Sequence, residues 1–363
     1  MLWRAHPGAA SDGIGSARMK TLRAFIESLC SEQCAGREPG SAGGRAARAL
    51  VLEAFREAGL EPVEQPVPGC SGANVLAPLR GDQDRWVLVA AHYDHVGQSG
   101  KHIFHGADDN AAAVAILLDV AQALRSRPPK GRGVLFAAFD SEEMPHFQTE
   151  AMGSEYFARH PTVPLDTIDL MVCMDLVGHA VGPDEAPDDV RRSVFALGAE
   201  RSEGTGVLVD RLARSEPGLI IRRFDAETIP PLSDYWGFWR REVPFLFLTN
   251  GRWRHYHTPE DTPDKLDYPK IQATARWLER LVREACARPE PSVRFLSGVR
   301  DDASTLRSVI ALTQSLEPLS PLAAAARQTA EGLLRRCDGK GRLADAERSA
   351  LQMLVAQLES GLA

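Results

Sequence analysis

Residues 86–143 read WVLVAAHYDHVGQSGKHIFHGADDNAAAVAILLDVAQALRSRPPKGRGVLFAAFDSEE. Two short and almost wholly apolar runs, Trp86–Ala91 and Val134–Phe139, flank an alanine- and leucine-rich segment, Ala111–Arg125. Apolar runs of about four to eight residues without polar alternation mark strands buried on both faces. A helical segment between two of them makes a strand–helix–strand unit, whose strands are parallel. Each run leads into chemistry. The first ends at His92 and Asp94, the second at Glu142 and Glu143, and the helix between them starts behind the acidic turn Asp108-Asp109-Asn110.

Further along, Leu170–Met174 (LMVCM) and Pro244–Leu248 (PFLFL) repeat the texture, and helical patterns fall at Ser154–Arg159, Gly206–Ser215 and Pro269–Ala287. The alternation predicts an α/β three-layer sandwich around a mixed, mainly parallel twisted sheet with helices on both faces. Upstream, Leu22, Phe25, Ile26 and Leu29 predict a first helix over Lys20–Cys34, and Arg45–Ala58 predicts a second, ended by Gly59. Glu61–Val67 alternates like an edge strand, and another strand begins at Asn74. Residues 1–19 read as a flexible arm and 20–287 as the catalytic domain. After Arg288, Pro289 and Pro291 break the chain, and Ala/Leu/Arg-rich segments near 303–316, 320–337 and 343–361 make 288–363 an all-helical C-terminal appendage. Its apolar faces are expected to serve packing, or contact between copies in a homo-oligomer, with no chemistry of their own.

Composition narrows the partners. With 363 residues, 44% hydrophobic and 25% charged, the chain is globular, and a net charge of −7 argues against nucleic acid. No run approaches about 18 apolar residues, so no membrane span is expected. The N-terminus lacks the apolar region of a secretory signal, which predicts a cytoplasmic protein, or a secreted one had a leader been removed. The six cysteines form no CxxC pair and are expected to be reduced, mostly as small core residues.

In an open α/β sheet, ligands gather outside the carboxyl ends of the strands. His92 stands at such an end, and Asp94, two residues on, can orient its imidazole. In the acidic turn one carboxylate could cap the helix while another bridges two metal ions. Adjacent carboxylates after a strand point in divergent directions, so Glu142 and Glu143 can divide the work between binding metal and acting as a general base. Asp175 directly follows an apolar run, a costly place for a carboxylate unless it is paired or coordinated. Tyr256 and His257 add a phenol able to donate to a developing oxyanion and a second imidazole.

The set AHYDH, GADDN, SEE, MDLVG and YHTPEDT, with GREPGSAGGRAAR upstream, resembles metallopeptidase family 28, the co-catalytic di-zinc aminopeptidases and their carboxypeptidase relatives. The resemblance covers roughly residues 20–287. It implies two zinc ions per chain, one held by His92 and Asp175, the other by Glu143 and His257, with Asp109 bridging. It further implies that Asp94 orients His92, that Glu142 is the general base and that Tyr256 polarises the scissile carbonyl of a peptide or aminoacyl substrate. Two imidazoles and three carboxylates also suit zinc on chemical grounds, with cobalt or manganese as substitutes.

Some segments depart from the family pattern. Ala112-Ala113 replaces the usual Ser-Gly, and two inserts, 98–105 and 144–152, are expected to rim the pocket, with His102, His105 and His146 facing solvent. The aromatic segment 230–239 (PPLSDYWGFW) fits an apolar pocket wall and core packing equally well. Three other functions compete with the aminopeptidase. One is a glutaminyl cyclase, an acyltransferase on the same fold with a single zinc. Another is an inactive peptidase-like binding protein, which ought to lack ligands. The last is a carboxypeptidase, which needs basic side chains over the pocket, with Arg252 and Arg254 as candidates.

Overall fold

The computed structural model describes residues 9–363, with side chains from Arg18 onward. Residues 1–8 of the expected arm lie outside the described residues. From Ala9 the chain is already helical. Helix α1 spans Ala9–Leu29, starting earlier and ending sooner than the Lys20–Cys34 pattern, because its first turns carry small residues with no apolar face to betray them. Helix α2 (Ala42–Glu57) is capped by Ser41, whose Oγ accepts the Gly44 N–H.

Strands β1 (Val63–Val67), β2 (Gly72–Leu79) and β3 (Trp86–His92) follow, then a small hairpin, β4 (Gln98–Ser99) and β5 (His102–Ile103). Next come α3 (Ala112–Ser126), β6 (Gly133–Phe139), α4 (Gly153–Arg159), β7 (Ile168–Met174) and α5 (Asp188–Arg191). The chain continues through β8 (Ser193–Leu197), α6 (Thr205–Leu212), β9 (Ile220–Phe224), α7 (Tyr235–Trp239), β10 (Phe245–Thr249) and α8 (Tyr268–Cys286). It ends with α9 (Asp302–Leu316), α10 (Pro321–Leu334) and α11 (Asp345–Leu362).

Eight strands form one mixed sheet in the order β1-β2-β6-β3-β7-β10-β8-β9. The central four, β6, β3, β7 and β10, are mutually parallel, so their carboxyl ends share one edge. Antiparallel β2 with β1 closes one flank, and the parallel pair β8–β9, antiparallel to β10, extends the other.

Side chains alternate between the two faces. Val87, Val89 and Ala91 join the core beneath α1, α2, α3 and α8, whereas Leu88, Ala90 and Phe139 join a second core on the opposite face. Leu306, Leu333, Leu351 and Val355 belong to that second core, so the three C-terminal helices cover the sheet directly. Five cysteines are buried, Cys337 is half-buried, and all six are free. Among the described residues no helix is long and apolar enough to cross a membrane.

Candidate active site

The shared edge of the four parallel strands gathers the side chains expected to hold metal or carry the chemistry. His92 is the last residue of β3, Glu142 and Glu143 follow β6, Asp175 follows β7, and Tyr256 and His257 sit in the loop after β10. Asp109 comes from the irregular turn before α3. The turn depends on Gly106, whose φ is +56° and where a Cβ would stand 2.2 Å from the Asp109 carbonyl oxygen and 2.6 Å from the His95 ring. Ser141, Leu176 and His257 also have left-handed φ, at 62°, 55° and 53°, in the loops that carry these groups. Such conformations cost on the order of 1 kcal/mol each and cluster where a side chain must be aimed.

Asp109 lies at the centre. Its Oδ2 is 3.1 Å from His257 Nε2, which is 3.2 Å from Glu143 Oε2. Its Oδ1 is 3.4 Å from His92 Nε2, which is 3.6 Å from Asp175 Oδ1. Yet His92 Nε2, Asp175 Oδ1 and His257 Nε2 are buried atoms that make no hydrogen bond. Donor atoms held about 2.0–2.2 Å from a tetrahedral zinc stand about 3.3–3.6 Å from one another. The spacings around His92, 3.4 and 3.6 Å, fall in that range and those around His257, 3.1 and 3.2 Å, lie just below it, so the donors form two groups, each arranged around a common centre, with one oxygen of Asp109 in each group.

The electrostatics point the same way. Burial would raise the Asp109 carboxyl, but His257 and His92 hold it well below the carboxylate range. Burial would lower His92, yet Glu142, Asp109 and Asp175 push it well above the usual imidazole value, and the Asp109 and Glu143 carboxylates likewise lift His257 to about 10. The buried carboxylates thus call for positive charge beside them, which a bound cation would supply.

His95, quoted within AHYDH but given no role there, joins the first group. Its Nδ1 is 2.9 Å from Glu143 Oε1, its Nε2 is buried without a partner, and His95, Asp109, Glu143 and His257 can together offer four donors. Its position three residues after His92 on the same strand-end loop was the available signal.

Supporting contacts differ from expectation in two places. His92 Nδ1 contacts the main-chain oxygen of Asp94 at 3.3 Å, while the Asp94 carboxylate stands 3.6 Å away and accepts the N–H groups of Glu142 and Glu143. Neither aspartate of the acidic turn caps α3. Asp108 instead accepts the N–H groups of Gly178 and His179 and meets the His179 ring, tying the turn to the loop after β7. Asp261, from YHTPEDT, accepts the N–H groups of Asp108 and Asp109. Arg37, from GREPG, is fully buried and donates to the carbonyls of Leu29, Tyr93, His105, Gly106 and Asp109, so it fixes the loops behind the cluster.

A cleft opens over the cluster. Met144 and Phe147, from the 144–152 insert, line it beside Leu232, Ile229 and Phe247. The 98–105 insert does not: its hairpin packs against the Gly36–Arg37 turn. There His102 is exposed, but His105 is half-buried with Nδ1 2.8 Å from the Cys30 carbonyl, and His146 is half-buried as well, so those two do not simply face solvent. In the segment 230–239, Leu232 lines the cleft, while Tyr235 and Phe238 are buried in the core. Tyr235 stacks on Phe245 and Phe247, and Phe238 packs on Phe139 and Phe157. Arg252 lines the cleft but donates to Glu359, whereas the exposed Arg254 donates from Nε to His255 Nε2 at 3.2 Å and stands 3.7 Å from Asp184.

A model of peptidase family M28 matches residues 74–282, more than half of the chain. The chain belongs to peptidase family M28. Among curated relatives of this M28 chain, the uncharacterized protein YfbL of Escherichia coli (strain K12) is 28% identical over 243 residues, covering 61% of this chain and 74% of that protein. The glutaminyl-peptide cyclotransferase of Bos taurus is 27% identical over 287 residues, covering 68% and 78%. A solved Zn-dependent exopeptidase from Parabacteroides distasonis shares the fold with a TM-score of 0.57 at 18% identity, over 73% of this chain and 97% of that one. Peptidase and cyclotransferase thus both occur among proteins similar to this M28 chain, and the reaction has to be argued from the site.

Proposed function

We propose that the chain is a zinc-dependent exopeptidase, an aminopeptidase that hydrolyses the N-terminal peptide bond of its substrate. The observation that carries this reading is the division of Asp109 between two imidazoles, Oδ1 toward His92 and Oδ2 toward His257. A carboxylate shared in that way suits a bridging ligand between two ions, one with His92 and Asp175, the other with Glu143 and His257. When bound, such ions supply Lewis acidity and bring the pKa of water towards neutrality.

The remaining work falls to side chains of this chain. Glu142 lines the cleft without being one of the two donor groups, and burial, with Asp175 and Glu143 adding to it, pushes its carboxyl well above the usual value although His92 opposes this. A carboxylate with raised proton affinity is suited to take a proton from the attacking water at Oε and return it to the leaving amine. Tyr256 lies flat against His257, with ring centroids 3.9 Å apart. Burial, with Asp109 and Glu143, raises its phenol, so the hydroxyl stays protonated and can donate to the developing oxyanion.

One observation favours a second reading, the single-zinc cyclase. The group His95, Asp109, Glu143 and His257 offers four donors by itself, whereas His92, Asp109 and Asp175 offer three. Metal analysis of the purified protein, run beside a screen of aminoacyl nitroanilides and of peptides with N-terminal glutamine, separates the two. Two zinc ions per chain with anilide hydrolysis support the peptidase; one zinc with glutamine cyclisation overturns it.

A further inference from the structure

His257 is the least supported of the expected metal donors. Its side chain is 33% exposed, against 11% or less for His92, Asp109, Glu143 and Asp175, and it stands in a left-handed conformation in the loop after β10 rather than at a strand end. His179, in the loop after β7, holds that loop at two points. Its carbonyl accepts the side-chain N–H of Asn250 at 2.8 Å, and its ring stacks on Trp253, with centroids 4.9 Å apart and planes 13° from parallel. Beyond Trp253 the chain turns tightly, and the Trp253 carbonyl accepts the Tyr256 N–H at 3.0 Å. His179 is itself fixed from behind. Its Nδ1 donates to Asp108 Oδ2 at 2.7 Å, Asp108 Oδ1 accepts its main-chain N–H and that of Gly178, and the buried Lys270 donates to its carbonyl at 3.0 Å. Gly178 permits the close approach, since a Cβ there would stand 2.7 Å from Ala112 Cβ and 2.9 Å from Asp108 Oδ1. Asp108 in turn neighbours Asp109, whose Oδ2 is 3.1 Å from His257 Nε2. The contacts close a circuit from Asp109 through Asp108, His179 and Trp253 to His257.

From this circuit we propose that His179 is a positioning residue: its imidazole, keyed to Asp108 and stacked on Trp253, sets the loop that carries Tyr256 and His257, and with it the affinity for the zinc that His257 would hold. This role rests on the metal reading of the cluster and is indifferent to which reaction the metal serves. A histidine suits both parts of the task. Its flat face matches the indole, and one edge supplies a donor to a buried carboxylate oxygen that would otherwise lose its partner. Phenylalanine offers only the face, and asparagine only the donor. Because Asp108 and Asp109 are consecutive, the His179 ring ties the position of one donor, His257, to the position of another, Asp109, through side chains that touch neither zinc nor substrate.

The test is zinc affinity, measured by titrating metal-free protein with zinc against a chromophoric chelator, for the unmodified chain and for His179→Phe, His179→Asn, Trp253→Ala and Trp253→Phe. The two His179 variants and Trp253→Ala should each hold zinc about 10–100-fold more weakly, the range seen when the support behind metal ligands is removed. Trp253→Phe keeps a ring against the imidazole and should recover most of what Trp253→Ala loses, which a general loss of stability would not predict. In anilide hydrolysis the loss should fall on kcat more than on KM, because Tyr256 acts on the transition state. Unchanged zinc affinity in His179→Phe and Trp253→Ala proteins with native circular dichroism overturns the role, as does a Trp253→Phe protein impaired as badly as Trp253→Ala. Should the His179 variants not fold, the Trp253 pair decides alone, since that side chain is only half-buried. The two readings fail separately. An unmodified chain that takes up no zinc removes the metal reading and this role together; zinc held equally tightly by all five proteins keeps the metal and removes only the role.

Discussion

Asp94 Oδ1 accepts the backbone N–H of Glu142 at 3.1 Å, and Oδ2 of the same carboxylate accepts that of the next residue, Glu143, at 3.2 Å. One buried side chain at the end of β3 thus sets the height of both glutamates after β6. This is a different task from turning the imidazole of His92, which the Asp94 main-chain oxygen approaches more closely than the carboxylate does. Asp94→Ala leaves two buried N–H groups without acceptors, at about 1–3 kcal/mol each. The variant should lose stability by urea denaturation and lose about 10–100-fold in kcat, the range seen when the support behind metal ligands is removed. Unchanged kcat in a folded Asp94→Ala protein would count against this positioning role.

Glu142 and Asp109 should separate chemistry from metal binding. Glu142→Gln keeps the shape of the cleft and removes the proton acceptor, so turnover should fall by at least about a hundredfold while zinc content stays at the unmodified level. Asp109→Asn weakens both donor groups at once, because each of its oxygens faces a different imidazole. Zinc content should fall along with activity. Atomic absorption on both variants, beside anilide hydrolysis, gives the comparison; full activity in Glu142→Gln would remove Glu142 as the base.

Much of this arrangement was legible in the sequence because buried strands announce themselves. Trp86–Ala91 and Val134–Phe139 fall within one residue of β3 and β6, and the residues just past them lie at the shared edge. Strands β8 and β9 were not read. SVFAL is short, and IIRRF carries Arg222 and Arg223, which break an apolar run yet are accommodated by hydrogen bonds to Ser193 and Asp189 and by ion pairs to Asp210 and Asp301. The cap expected of the acidic turn failed for a different reason. Spacing can propose that Asp108 reaches the first turn of α3, but only the fold brings Gly178 and His179 within its reach. The path of α11 was similarly hidden, since an amphipathic pattern shows that a helix has an apolar face and says nothing about where Glu359 will lie.

Glu200 should give the protein a pH-dependent stability that one substitution removes. Burial, reinforced by Asp225, raises its carboxyl to about 8 from an ordinary value of 4.5. Between those values the folded protein holds a proton that the unfolded chain releases, so stability is full below about pH 4.5 and is lost as pH rises through about 8. Glu200→Gln keeps an oxygen to accept the Ala226 N–H, the bond now made at 2.9 Å, and has no proton to lose. Between pH 5 and 8 the unmodified protein should lose stability relative to the variant by on the order of 2–4 kcal/mol. Parallel urea midpoints for the two proteins across that range would contradict the assignment.

Arg348 should control whether α11 stays docked. Its guanidinium bonds Asp225 at 2.7 Å and Asp302 at 3.2 Å, and it also pairs with Glu227. Both aspartates are fully buried. Arg348→Ala would leave them without this cation, and breaking a buried pair from one side typically costs about 3–5 kcal/mol; here the figure belongs near the low end, because Arg348 keeps 13% of its side chain exposed. The damage should concentrate in α9 and α11, which these carboxylates join to the β9–α7 segment. Hydrogen exchange should therefore rise in Asp345–Leu362 more than in the central strands. Zinc content, set by side chains outside α11, should hold in Arg348→Ala. Exchange that rises evenly across the sheet would show that Arg348 supports the whole fold rather than this helix.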